Sequence, residues 1–97
     1  MKKLTTKFFD DIVDNWEWDD DTECYMMEYK FLDFDSTPQI TFEDVTIWYY
    51  GKQDSFDITF DGMGSAEFKF YGNDIEKASF GKKATMICFN DFDIYLH

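Results

Sequence analysis

The spacing of apolar residues is helical at the start of the chain. Phe9, Ile12, Val13 and Trp16 recur at i, i+3, i+4 and i+7, which places them on one side of a helix. Polar and acidic residues occupy the other side. The pattern predicts an amphipathic helix over residues 6–17, followed by a loop at residues 18–22.

From Glu23 onward the period changes to two, which is typical of a β-strand. One predicted face of this strand carries Tyr25, Met27, Tyr29 and Phe31. Pro38 should end it, because proline cannot donate a backbone hydrogen bond to a sheet.

A second strand is predicted at residues 40–50. Its apolar residues change parity at Glu43 and Asp44, and this change predicts a β-bulge. The run Ile47–Tyr50 (IWYY) places bulky side chains on both faces of the strand. At least one of these aromatic residues should therefore lie outside the core.

Short apolar runs and turn residues alternate over the rest of the chain, with turns predicted at DGMG, YGND, GKK and Asn90–Asp91. Such spacing is typical of an antiparallel meander. The predicted fold is a single acidic α+β domain over residues 1–97, in which one N-terminal amphipathic helix packs on an antiparallel meander sheet of five or six strands.

The composition favours a folded, cytoplasmic protein. Hydrophobic residues make up 44% of the chain and aromatic residues 22%, enough to form one core. No apolar run is long enough to cross a membrane, and the first residues become acidic where a signal peptide would be apolar. Cys24 and Cys88 form no CxxC motif and are expected to be reduced thiols.

The negative charge is concentrated in one part of the sequence. The net charge is -12, and between Asp10 and Asp44 thirteen acidic residues face the single base Lys30. The other acids and lysines cancel. A surface of this kind attracts basic partners, although a solvated acidic face that only maintains solubility is the simpler interpretation.

All basic residues are lysines, and arginine is absent. Arginine supplies the bidentate contacts that bind phosphates and bases, so direct binding to nucleic acid is not expected. The abundance of Phe, Tyr, Ile, Asp and Lys is what an AT-rich coding sequence produces. This bias points to a low-GC bacterium or its phage, and a phage protein would act in the host cytoplasm.

Residue types for catalysis are scarce. The only histidine, His97, is the last residue of the sequence, where fraying is expected. Residues 33–44 imitate a calcium-binding loop, but Pro38 stands where the loop requires glycine and strands flank it. We therefore expect neither an enzyme nor a protein that needs a metal or other cofactor.

Charge geometry leads to the main functional hypothesis, an anti-CRISPR-like or anti-restriction inhibitor that imitates DNA. Carboxylates two residues apart on a strand, or one turn apart on a helix, are about 5 to 7 Å from each other, close to two phosphate steps along a DNA strand. The expected partner is a basic nuclease or CRISPR-type effector that normally binds nucleic acid. The predicted binding residues are Asp10, Asp14, Glu17, Asp19, Asp20, Asp21, Asp33 and Asp35, with Trp18 and Tyr25 as apolar anchors.

Two alternatives remain open from the sequence. An immunity protein that neutralises a cationic bacterial toxin would use the same electrostatic complementarity. An acidic accessory protein would instead self-associate, for example as a homodimer, through an aromatic sheet face.

Overall fold

The computed structural model describes residues 9–35, 40–62 and 64–97, without the side chains of residues 9, 61, 62 and 64–66. Within those ranges it has one short helix and eight antiparallel strands. They are α1 (Phe9–Asn15), β1 (Glu17–Asp19), β2 (Cys24–Asp35), β3 (Ile40–Tyr50), β4 (Ser55–Gly62), β5 (Gly64–Tyr71), β6 (Lys77–Phe80), β7 (Thr85–Cys88) and β8 (Asp93–Leu96). No helix of the described ranges is long and apolar enough to cross a membrane.

The strands form one antiparallel sheet made of two meanders. Its order is β5-β4-β3-β2-β8-β7-β6, and β1 pairs with the first part of β2. The prediction of a single meander of five or six strands is therefore wrong in strand number and connection. A 3₁₀ turn at Gly72–Asp74 ends the first meander, so that β6 starts a new one instead of pairing with β5.

The sheet curves until its two ends face each other across an aromatic core. Phe56 of β4 stacks on Phe80 of β6 with ring centroids 5.7 Å apart, although these strands are not neighbours in the sheet. Phe70 of β5 meets Phe89, which follows β7, edge-on at 4.9 Å. Such pairs add to the stabilisation that comes from apolar burial.

Helix α1 packs at this closure through two of its predicted apolar residues. Ile12 is fully buried, and Trp16, just after the helix, meets the Phe80 ring edge-on at 5.5 Å. Val13, predicted on the same face, is 37% exposed. The helix ends at Asn15 instead of residue 17, because the chain then turns into β1 and Glu17 pairs with Met26 of β2. Residues 6–8 of the predicted helix lie outside the described ranges.

The parity change in β3 is confirmed as a bulge. Its register against β4 shifts between Glu43 and Thr46, and Asp44 has a positive φ of 55°. Aspartate tolerates this left-handed conformation better than most residues.

Strand β2 also changes face, which its sequence did not predict. Tyr29 and Leu32 are both buried, so inward and outward positions exchange between them, and Phe31 does not share the face of Tyr29. The backbone N–H groups of Lys30 and Phe31 both donate to the His97 carbonyl, at 3.1 and 2.8 Å. The expectation that His97 frays is wrong, because its backbone extends the ladder between β8 and β2.

Candidate interaction surface

Residues 10–23, called the acidic stretch below, contain eight acidic residues and no basic residue. The stretch comprises most of α1, all of β1 and the turn that leads into β2. Asp19 is half-buried, whereas the other acidic side chains are exposed. The exposed set is Asp10, Asp11, Asp14, Glu17, Asp20, Asp21 and Glu23.

Buried contacts hold the acidic stretch against the rest of the fold. Trp16 is only 5% exposed, and its ring meets both the Phe56 and the Phe80 ring edge-on. The Asn15 side-chain amide donates to the Phe80 carbonyl oxygen at 2.7 Å. Asn15 and Trp16 therefore hold the backbone that carries the carboxylates on either side of them.

The turn after β1 is organised by its own acidic side chains. Asp19 accepts hydrogen bonds from the backbone N–H of Asp21 at 3.2 Å and from the Thr22 hydroxyl at 2.8 Å. The Trp18 indole N–H donates to Asp20 at 2.6 Å. Asp19 thus has a structural role, whereas Asp21 presents its carboxylate to solvent.

No lysine of the described ranges neutralises the acidic stretch. Among the described residues, the ion pairs with a nitrogen–oxygen distance of at most 4.0 Å are Lys69 with Glu67 and, when the imidazole is protonated, His97 with Asp33. Neither pair involves residues 10–23. Among the described residues, the negative charge of the stretch therefore has no ion-pair partner. Its field should reach the Debye length of about 8 Å at physiological salt.

The two predicted apolar anchors lie side by side, Trp18 within the acidic stretch and Tyr25 just after it. Trp18 of β1 is paired in register with Tyr25 of β2, and their rings meet edge-on at 4.9 Å. Trp18 is 52% exposed. An exposed tryptophan beside a half-buried tyrosine is a favourable anchor for a protein partner.

Asp33 and Asp35 are not brought together with the other predicted binding residues. Asp33 is nine positions beyond Cys24 in β2, which corresponds to about 30 Å of extended chain. Its carboxylate accepts from the Thr41 hydroxyl at 2.7 Å and pairs with His97 Nε2 at 2.9 Å. These hydrogen bonds, first from Thr41 and then from His97, lower the pKa of Asp33.

A second surface, the outer sheet face, was missed in the sequence except for the IWYY run. It is formed by the outward side chains of β1, of residues 26–28 of β2, of residues 46–50 of β3, and of β4 and β5, as strand register and alternating burial show. In IWYY, Ile47 and Tyr49 are buried, whereas Trp48 and Tyr50 are half-buried on this face. The outer sheet face comprises Glu17, Asp19, Met26, Glu28, Thr46, Trp48, Tyr50, Ser55, Asp57, Thr59, Glu67, Lys69 and Tyr71.

Asp57 lies in the middle of this face in an unfavourable setting for a charge. Its Oδ1 atom is shielded from solvent and has no hydrogen-bond donor among the described residues. Desolvation, and then the neighbouring Glu67 carboxyl, raise the pKa of Asp57. A groove of about 390 Å³ next to it is lined in part by Tyr50, Lys69 and Tyr71.

Comparison of the chain with protein-family models, with curated proteins and with solved structures gives no match.

Proposed function

We propose that the protein is a small acidic inhibitor that imitates nucleic acid and occupies the basic groove of a protein that normally binds it, such as a nuclease or a CRISPR-type effector of the cell in which it acts. The observation that carries this proposal is the acidic stretch, with eight carboxylates and no base, fixed by the buried Trp16. A phage origin fits this role.

The spacing of the carboxylates supports imitation of phosphates. Asp10 and Asp14 are one helical turn apart on α1, about 6 Å. Glu17 and Asp19 point to the same side of β1 at i and i+2, about 6.6 Å apart. Both distances are close to twice the axial rise between phosphates on one DNA strand, about 6.8 Å. Lysine and arginine side chains that receive phosphates could form charge-assisted hydrogen bonds with these carboxylates.

Asp33 and Asp35 are not part of the proposed interface. Both residues lie toward the far end of β2, and Asp33 is about 30 Å of extended chain beyond Cys24. The i, i+2 spacing on a strand, which the sequence suggested for Asp33 and Asp35, is instead provided by Glu17 and Asp19 of β1.

A displacement experiment tests the proposal. The immobilised protein captures basic proteins from a candidate host lysate at low salt, and each captured protein is then bound to labelled duplex DNA or to its guide RNA. Addition of the free acidic protein should release the nucleic acid from the captured protein. This release should weaken steeply as salt rises, because the contacts are electrostatic.

Two charge-reversal variants localise the effect. The test variant changes Asp10, Asp14, Asp20 and Asp21 to Lys but keeps Asp19, whose carboxylate closes the turn. The control variant makes the same change at four exposed acids elsewhere, Asp35, Glu43, Glu76 and Asp91. We expect the test variant to lose displacement at least tenfold more than the control.

Equal activity of the two variants would contradict the proposal, since total charge would then matter and not the acidic stretch. Tight binding to one toxin-like protein without release of nucleic acid would favour an immunity protein instead. A mass that doubles with concentration in the absence of any partner would favour self-association.

A further inference from the structure

The outer sheet face is an acidic surface separate from most of the acidic stretch. Its defined residues include a single cation, Lys69, against five carboxylates, Glu17, Asp19, Glu28, Asp57 and Glu67. Lys69 Nζ lies 4.0 Å from Glu67 Oε1, and both side chains are more than half exposed, so this pair is weak. The face retains a charge of about 1 - 5 = -4 and continues into the acidic stretch through Glu17 and Asp19.

Aromatic side chains on this face frame a slot. Tyr50, Ser55 and Tyr71 are successive partners across β3, β4 and β5, so a small residue separates two tyrosines. Strands two apart are separated by about 10 Å, which leaves room for a flat group between the tyrosines. Tyr71 is 59% exposed, and the groove of about 390 Å³ lies between these residues.

Asp57 lies next to this slot, and its Oδ1 atom has no hydrogen-bond donor among the described residues. It is the neighbour of Trp48 on one side and of Lys69 on the other, one row from the two tyrosines. Its shielded Oδ1 receives no hydrogen bond from the described residues. An incoming cation in the groove would offset the repulsion from Glu67, and a turn of the Asp57 carboxylate toward the groove would let it accept N–H groups of that cation.

We propose that the outer sheet face binds an arginine-bearing segment of the same cationic partner, with a guanidinium group between Tyr50 and Tyr71 and hydrogen-bonded to Asp57. This inference rests on the proposed function in that both surfaces engage one partner. Arginine fits better than lysine because its planar group stacks on aromatic rings and donates several hydrogen bonds in fixed directions.

Charge disfavours a second copy of the chain as the occupant. Two outer sheet faces in contact would bring like charges together, and each copy carries a net charge of -12. A cationic segment removes this repulsion and satisfies the aromatic and carboxylate groups together.

The test compares two peptide probes of equal charge, deca-arginine and deca-lysine, by isothermal titration calorimetry with the full chain at low salt. We expect the wild-type protein to bind deca-arginine about three- to tenfold more tightly than deca-lysine. Tyr71→Ala and Asp57→Asn should each bring this ratio close to one. Tyr95→Ala is the matched control, because Tyr95 is a similarly exposed tyrosine on β8, outside the outer sheet face.

Equal wild-type affinities for the two peptides, or an arginine preference that survives both Tyr71→Ala and Asp57→Asn, would overturn the inference. The lysine reversal at Asp10, Asp14, Asp20 and Asp21 separates it from the proposed function. That variant should bind both peptides more weakly and keep their ratio. If it bound both as tightly as wild type while the ratio persisted, the role of the acidic stretch would fail and the arginine site would stand.

Discussion

At the scale of single residues, Asp33 and Asp57 carry the same carboxyl group in opposite surroundings. Asp33 accepts hydrogen bonds from Thr41 and faces His97, which favour its ionised form. Asp57 is desolvated beside Glu67, which disfavours ionisation. One residue should therefore stabilise the fold when charged, and the other should weaken it.

Asp33→Asn is expected to lower the free energy of unfolding at pH 7 by about 1 kcal/mol. The pKa of Asp33 is lowered in the fold from an ordinary value of 3.8, so its ionised form contributes stability above that value. This contribution is lost as pH falls through the folded pKa. Urea unfolding at several pH values should show a difference in the free energy of unfolding between wild type and variant at neutral pH, and this difference should vanish in acid. A difference that does not depend on pH would contradict the stabilising role of the ionised Asp33.

Asp57→Asn should have the opposite effect and stabilise the protein at pH 7. Because the pKa of Asp57 is raised above 3.8, the protonated side chain is favoured in the fold, and stability is lost as pH rises through the folded pKa. Asparagine removes that loss, so the urea midpoints of variant and wild type should diverge above about pH 4 and converge below it. Asp35→Asn, at an exposed site on β2, is the control and should change little. A destabilised Asp57→Asn would show that the carboxylate already has a favourable partner.

At the scale of elements, the sequence predicts best where the signal is local. The bulge at Asp44 follows from parity in one strand, and the β7–β8 hairpin follows from Asn90 and Asp91 between two apolar runs. The end of α1 was misplaced because Trp16 continues the helical pattern, whereas pairing of Glu17 with Met26 decides the backbone. Local periodicity does not report such a partner.

The same limit applies to the binding surfaces. The acidic stretch is contiguous in sequence and could be predicted from charge alone. The outer sheet face combines residues from five strands, and Asp57 gives no local sign that it lies beside Glu67. Its recognition required the strand register. Likewise, the hydrogen bond between His97 and Asp33 depends on the pairing of β2 with β8.

Ile12→Ala tests how firmly α1 is attached. Ile12 is fully buried, so its truncation should lower the free energy of unfolding by about 2 to 4 kcal/mol. Val13→Ala, on the neighbouring and 37% exposed position, should cost less than about 1 kcal/mol. Both values come from urea titrations. Similar losses for the two variants would mean that α1 is not oriented by Ile12.

At the scale of the whole molecule, a net charge of -12 on 97 residues acts against compaction. Salt screens this repulsion, so the urea midpoint should rise when NaCl is increased from about 20 to about 500 mM. The variant with Lys at Asp10, Asp14, Asp20 and Asp21 has a net charge of -12 + 8 = -4 and should respond less. A wild-type midpoint that falls with added salt would contradict this expectation.

The pairing of β8 with β2 has a consequence for synthesis on the ribosome. Asp33 and His97 are 64 positions apart, so this half of β2, which pairs with β3 on one side, lacks its second neighbouring strand until β8 has left the exit tunnel. The hairpins of the first meander can form earlier, because their partners follow at once. Ribosome-stalled chains that stop at Asn90 should therefore be cut by protease within residues 30–35, whereas released chains should resist. Between these two moments the unpaired edge of β2 is open to pairing with other chains, which is a route to aggregation.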